Sequence, residues 1–336
     1  MKIAVFSTRS YDQESLTQAA KENKSFASCH YFEFFDVHLR TETIRTAEGY
    51  DAVCVFVNDQ IDRSTLKLLR LGGVHLVALR CAGYNNVDLN AANELGITVV
   101  RVPAYSPEAV AEHTVALILA LNRKIYRAHH RVREGNFSLD GLVGFNLHQK
   151  TVGLVGTGRI GRTVAQILGP GFGCRLLGFD PEPSEHCVEL GLQYVSLPEL
   201  VGQSDIVSLH APLVPSTAYL INEATIAQMK TGVMLINTSR GALVDTKAVI
   251  NAVKTGKIGY LGLDVYEEET GLFFDDRSLQ VIPDDTFARL LTFPNVVITG
   301  HQAFLTREAL DQIAQTTIDN ILEFAAGRPC RNQVRK

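Results

Sequence analysis

The chain has no paired cysteines, no excess of positive charge and no long apolar run. Its six cysteines (29, 54, 81, 174, 187 and 330) are scattered, with neither a C-x-x-C pair nor the spacing of a zinc site, and several lie in apolar runs as buried free thiols. No metal is expected. Lys and Arg number 32 against 36 Asp and Glu, a net charge of −4 that gives no reason to expect nucleic acid or an anionic membrane as partner. No apolar stretch is long enough to span a bilayer. The N-terminal MKIAVFS enters a strand pattern at once, with no signal peptide, so a cytoplasmic location is expected. Internal repeats and low-complexity tracts are missing, as are a G-x-S-x-G elbow, a phosphate loop ending in G-K-[ST] and an H-E-x-x-H pair. What remains is a globular chain of 336 residues, 46% hydrophobic, long enough for roughly two domains.

The stretch that organises it is TVGLVGTGRIGRTVAQILGPGFGCRLLGFD, Thr151 to Asp180. A short apolar run is followed by Gly156, Gly158 and Gly161 in G-x-G-x-x-G spacing, then apolar residues at helical spacing, then a second apolar run ending on Asp180. Strand, glycine turn, helix, strand and acid form the βαβ unit that binds a dinucleotide. Gly156 allows the tight turn, Gly158 lets backbone approach a pyrophosphate, and Gly161 lets the helix pack close to the strands. The helix start offers unpaired N–H groups and a partial positive charge to the phosphates. Asp180 would accept from the adenosine ribose hydroxyls and repel a 2′-phosphate, and no Arg closely follows it, which favours NAD over NADP. A purely structural turn or a methyltransferase-like nucleotide site are the competing readings of the glycines.

Residues 1 to about 102 alternate short apolar runs (Ile3–Phe6, Tyr31–Phe35, Ala52–Phe56, Leu76–Leu79, Ile97–Val100) with helix-like segments, a first parallel α/β unit without a glycine fingerprint. One long helix is expected next, capped by Ser106, with Pro107 in its first turn and Gly135 at its end. From Ala109 to Leu121 it is apolar almost all round, which predicts burial between two domains; its basic last turns read as a solvated face, with an anion or subunit contact as the alternative. Further strands are expected at Asp205–Leu209, Val233–Asn237, Tyr260–Val265 and Val296–Thr299, with an irregular insertion, Thr270 to Phe293, before the last. A helix from about Arg307 to Ala326, capped by Thr306, closes the chain and could pack back on the first domain.

In an open parallel sheet, ligands bind beyond the carboxyl ends of the strands. The residues there are the glycine loop, Asp180, His210, Thr238-Ser239-Arg240, Asp264 through Glu269, and His301. Reduction of a carbonyl needs a cation for the substrate carboxylate, best a guanidinium through two parallel hydrogen bonds. It also needs an acid–base group, for which imidazole is suited, and a carboxylate beside the imidazole favours the imidazolium. Arg240, His301 and Glu269 fill these roles in order. Each has a plain alternative: a surface salt bridge for Arg240, a solvated glutamate run for Glu269, and a satisfied loop histidine for His301, or an exchange of roles with His210. His301 is preferred, because His210 precedes Ala211-Pro212, a turn suited to cradling cofactor.

GTGRIG, HAPLVPST, INTSRGALVD, GLDVYEEE and GHQAFLTREA resemble, in order, the motifs of the D-specific 2-hydroxyacid dehydrogenase family, over nearly the whole chain. The resemblance implies an α/β protein of two doubly wound parallel-sheet domains. A Rossmann NAD-binding domain (103–299) would be inserted into a flavodoxin-like substrate-binding domain (1–102 plus 300–336), with the active site in the cleft. It implies Arg240 as carboxylate clamp, His301 as acid–base, Glu269 as its partner, and Asp264 near the nicotinamide. It implies NAD contacts at Arg159, Ile160, Asp180, Ala211, Pro212, Thr217, Thr238 and Ser239, beside Gly156, Gly158 and Gly161. In RCAGYNNVD the backbone N–H groups of Ala82 and Gly83 would hold the substrate carboxylate, and Tyr105 and Phe304 would line a small apolar pocket. The long GLFFDDRSLQVIPDD segment favours the lactate branch over phosphoglycerate or glycerate relatives, with pyruvate as substrate. Bulkier 2-oxo acids, and a dinucleotide-sensing binding protein of the same fold, are the other readings. A homodimer or homotetramer is expected from the family.

Overall fold

In the computed structural model, which describes residues 1–335, every pairing between strands is parallel. The chain divides into two compact units, Met1–Ser106 with the residues from Phe304 on, and Pro107–Ala303.

The first unit holds β1 (Lys2–Val5), β2 (Tyr31–Phe34), β3 (Ala52–Val55), β4 (Leu76–Leu79) and β5 (Thr98–Arg101), in the order β2-β1-β3-β4-β5. β3 and β4 are buried throughout, which is why they read as unbroken apolar runs; β2, at the edge, keeps its first and third residues in solvent. The closing helix, Arg307–Ala325, belongs to this unit. Thr306 caps it, its side chain accepting from Ala309 N at 3.3 Å. Ala314, Ile318 and Ile321 on its inner face join Ile3, Val5, Leu76, Ala78 and Val100 in one core.

The second unit holds β6 (Thr151–Val155), β7 (Arg175–Phe179), β8 (Gln193–Tyr194), β9 (Ile206–Leu209), β10 (Val233–Asn237), β11 (Ile258–Leu263) and β12 (Val296–Ile298), in the order β12-β11-β10-β9-β6-β7-β8. The chain enters at β6, runs to one edge through β7 and β8, and returns to β9 on the other side of β6. The loops leaving β6 and β9 therefore diverge and open a crevice at the carboxyl edge, the switch point of a doubly wound sheet.

Two features depart from expectation. The long helix is two, Pro107–Arg123 and Ile125–Arg133, broken where Lys124 takes a left-handed backbone (φ 49°). The loop after the second helix pins the break: Lys124 Nζ donates to Gly141 O and Val143 O, both at 2.9 Å, and the Asn122 amide donates to Phe145 O at 2.7 Å. The first of these helices packs Ala111, Val115, Ile118 and Leu121 on the second sheet with Val152, Leu154, Ile206, Met234 and Ile236. Burying that face contributes about 1.5–3 kcal/mol per aliphatic side chain. Finally, the stretch from 270 to 293 contains a short helix, Asp285–Leu291, whose first N–H groups, Thr286 and Phe287, donate to the Asp284 carboxylate at 2.8 and 3.0 Å. Among the described residues no helix is long and apolar enough to cross a membrane.

Candidate active site

At the switch point the glycines explain one another. Gly156 has φ 93°, and a Cβ there would lie 2.6 Å from the His210 carbonyl carbon, so the two diverging loops touch through bare backbone. A Cβ on Gly161 would lie 2.1 Å from Gly156 O, which holds the helix Arg159–Gln166 hard against the turn. At Gly158 the same construction meets nothing within 4 Å, leaving open space in front of the helix N-terminus. Arg159 is exposed there and Ile160 half-buried. Asp180, just past β7, accepts from Thr157 N at 2.6 Å and Thr157 Oγ1 at 3.2 Å, and from Glu182 N at 2.9 Å. An open, positively polarised helix start beside a half-buried carboxylate at the second strand end fits a dinucleotide.

The loop after β9 is shaped by its own hydroxyls. Thr217 Oγ1 donates to Pro212 O at 2.6 Å, and Ser239 Oγ reaches over from the β10 loop to donate to Ala211 O at 2.7 Å. Thr238 is buried, its hydroxyl paired with that of Thr114 at 2.9 Å, so its side chain ties the loop to the Pro107–Arg123 helix. The ring of His210 shares a hydrogen bond with Ser208 Oγ at 2.9 Å, and burial pushes its pKa down to about 4. A histidine so disposed is neutral at pH 7 and lacks the imidazolium proton that a general acid gives up.

Beyond β11 and β12, Glu269 and His301 meet. His301 Nδ1 lies 2.9 Å from Glu269 Oε1, both side chains mostly buried. An ionised carboxylate accepts only, so this contact places a proton on Nδ1 and turns Nε2 away from Glu269. The His301 backbone is left-handed (φ 54°), and Asp264 holds it there from both ends. His301 N donates to Asp264 O at 2.7 Å, while the fully buried Asp264 carboxylate accepts from Gln302 N and Ala303 N at 2.9 Å each and from Thr299 Oγ1 at 2.5 Å. His113 Nε2 completes the cluster, 3.5 Å from Asp264 Oδ1 and 3.1 Å from Thr299 Oγ1. Burial pushes the Asp264 pKa up, but His113, Thr299 and the two amides outweigh it and hold the carboxyl below its ordinary value. Asp264, expected beside the nicotinamide, is thus occupied in clamping the His301 loop. That clamp also keeps residues 300–303, expected with the first domain, in the second unit.

Arg240 comes to the same edge through a contact that the motifs alone did not reveal. A Cβ on Gly241 would fall 2.0 Å from the Tyr266 carbonyl carbon, so glycine lets the β10 loop lie directly on the β11 loop that carries Glu269. Asn237 Nδ2 donates to Arg240 O at 2.8 Å, and the guanidinium donates from Nη1 to Ser239 O at 2.7 Å.

The first unit has its own candidates. Arg101 Nη1 donates to Ala82 O at 2.8 Å and Cys81 Sγ to Gly83 O at 3.3 Å, fixing the turn by its carbonyls. Among the described residues nothing accepts from the N–H groups of Ala82 and Gly83. The Phe304 ring stands edge-on to Tyr105, centroids 6.2 Å apart, and 5.9 Å from Phe56. In the sequence Phe56 reads as part of the apolar run Ala52–Phe56; β3 ends at Val55, so Phe56 is the first residue past the strand. Its ring lies 4.9 Å from the guanidinium carbon of Arg80, a buried residue that pairs with Asp12 at 3.1 Å.

Residues 115–303 match the family model for the NAD-binding domain of D-isomer specific 2-hydroxyacid dehydrogenases. The D-lactate dehydrogenase of Escherichia coli is 54% identical over 334 residues, covering 99% of this chain and all of that one. The structure of Salmonella D-lactate dehydrogenase is 54% identical with a TM-score of 0.86, over 99% of this chain and 100% of its own. The pyruvate reductase of Chlamydomonas reinhardtii is 48% identical with a TM-score of 0.92, over 99% and 98%. The chain belongs to the D-isomer specific 2-hydroxyacid dehydrogenase family and is an NAD-dependent oxidoreductase of 2-hydroxy acids.

Proposed function

We propose that the chain reduces pyruvate to D-lactate, with His301 as acid–base, Glu269 as its partner and Arg240 as clamp for the substrate carboxylate. The observation that carries the reading is the 2.9 Å contact between His301 Nδ1 and Glu269 Oε1 at the carboxyl edge of a sheet with a dinucleotide crevice. The glycine loop, the Arg159–Gln166 helix start and Asp180 would hold NADH, which when bound supplies the hydride for C2. His301 gives the Nε2 proton to the carbonyl oxygen, and Glu269 balances the imidazolium before that transfer. Arg240 orients the carboxylate by paired hydrogen bonds once its guanidinium swings from Ser239 O. To the first unit we assign the rest of the substrate: the Ala82 and Gly83 amides for the carboxylate, and Phe56, Tyr105 and Phe304 for the methyl group. The D hand comes from the family. The pyruvate and D-lactate enzymes among its relatives support the choice of substrate.

The deciding experiment follows NADH absorbance with a panel of 2-oxo acids. Pyruvate is expected to give the highest kcat/KM; a clear lead for phenylpyruvate or 2-oxoisocaproate would overturn the lactate assignment. His301→Gln is expected to abolish turnover while leaving NADH binding intact. Exposed Ile125, Val132, Phe137, Leu139 and Val143 gather in the second helix and the loop after it, and we assign them to contact between copies of the chain. Light scattering of a Phe137→Asp/Leu139→Asp variant is expected to show a smaller particle than the parent.

A further inference from the structure

The stretch from 270 to 293 follows Glu269 directly. It is docked by Phe273, buried with its ring 5.7 Å from Phe287, which also meets Tyr266 at 5.1 Å. The Tyr266 hydroxyl donates to Asp284 at 2.7 Å and closes this anchor. The next residue behaves differently. Phe274 has φ 70°, a backbone that a bulky side chain adopts only under constraint. Part of the constraint is visible: Leu272 N and Phe273 N both donate to Glu269 O, at 3.0 and 3.1 Å, winding the chain tightly just after the glutamate. The turn delivers the Phe274 ring to the imidazole of His301, centroids 5.7 Å apart and planes tilted by 39°. Two left-handed, non-glycine residues from different loops thus meet ring to ring, where strain of this kind marks a functional constraint.

We propose that Phe274 is a positioning residue for His301, and that aligning this imidazole is the task of the segment after Glu269. The inference rests on reading His301 as the proton donor. One hydrogen bond from Nδ1 leaves the imidazole free to rotate about the line to Glu269, which swings Nε2 through an arc. The backbone bond from His301 N to Asp264 O fixes where the side chain starts but not its ring plane. An aromatic ring against the imidazole removes that remaining freedom and keeps water off that side of the His–Glu pair. Phe273 anchors; Phe274 aims.

The test compares Phe274→Gly, Phe274→Tyr and His301→Gln with the parent. Glycine accepts the left-handed backbone without strain, so this variant removes the ring and leaves the turn. The measurements are kcat, KM for pyruvate, the Kd of NADH, thermal unfolding, and the primary isotope effect on kcat with NADH deuterated at the transferred position. Phe274→Gly is expected to lose about tenfold or more in kcat, with NADH binding within about twofold of the parent and the isotope effect at or above the parent's. Phe274→Tyr restores most of the rate. Phe274→Gly turnover within about twofold of the parent would overturn the proposal. So would a decreased isotope effect, a loss that only tracks unfolded protein, or a tyrosine variant as slow as the glycine one. Retained turnover in His301→Gln would sink the reading beneath it, whereas an inactive His301→Gln beside a fully active Phe274→Gly sinks the Phe274 inference alone.

Discussion

Replacing Asp264 by Asn tests whether one buried carboxylate holds the His301 loop. The native oxygens divide their work: Oδ1 accepts from Thr299 Oγ1 and Gln302 N, and Oδ2 accepts from Ala303 N. An asparagine keeps one acceptor and turns the other into a donor. With its oxygen at the first position, the new NH2 faces the Ala303 amide; with the amide flipped, two donors lose their partner. Stranding one buried N–H costs about 1–3 kcal/mol, and turning the surviving charge-assisted bonds neutral costs about 1 kcal/mol each. The carboxylate's own burial penalty disappears in the variant and offsets part of this, so a net local loss of about 2–4 kcal/mol is expected. Hydrogen exchange at the Gln302 and Ala303 amides then speeds up roughly thirtyfold to a thousandfold, by 1.4 kcal/mol per decade, while amides of the first unit are unaffected. The pH dependence has a definite sign. Asp264 is held below its ordinary value of 3.8, so in the parent its contribution is complete above that value and fades as pH falls through the lower folded one. Urea unfolding of the variant lacks that fade. Equal exchange rates at both amides, with equal pH profiles, would show that Asp264 does not hold the loop.

Glu269→Gln keeps an acceptor for His301 Nδ1 but removes the charge, so kcat is expected to fall about tenfold to a hundredfold with the Kd of NADH unchanged, as read by steady-state kinetics and NADH fluorescence. Asp180→Ala removes the group that would repel a 2′-phosphate and the acceptor for Thr157 N; the ratio of kcat/KM with NADPH to that with NADH is expected to rise about tenfold or more. An unchanged ratio would place coenzyme discrimination elsewhere.

What could be read from the chain, and what could not, divides along a physical line. Central parallel strands are buried on both faces, so Ala52–Val55 and Val233–Asn237 show as unbroken apolar runs, and the carboxyl-edge rule turns their ends into a short roster of loop residues. Arg240, Glu269 and His301 stand out in that roster because guanidinium, carboxylate and imidazole carry chemistry that few other side chains do. Residues whose contribution is geometric stay hidden. Phe56 and Phe274 look like core, since phenylalanine is used there far more often than against a histidine or an arginine. Gly241 looks like any loop glycine until a Cβ is found to collide with the Tyr266 backbone at 2.0 Å. Backbone torsion is equally silent: nothing in the letters His, Phe or Lys announces the left-handed conformation at 301, 274 or 124. Lys124 breaks a helix that propensity alone would continue, because two carbonyls of a later loop capture its ammonium. Motif reading therefore recovers the groups to which we assign the chemistry and misses those to which we assign their positioning. In this chain Phe274 follows Glu269 by five residues, so a substitution survey confined to the legible residues would overlook the ring that we propose aligns the imidazole.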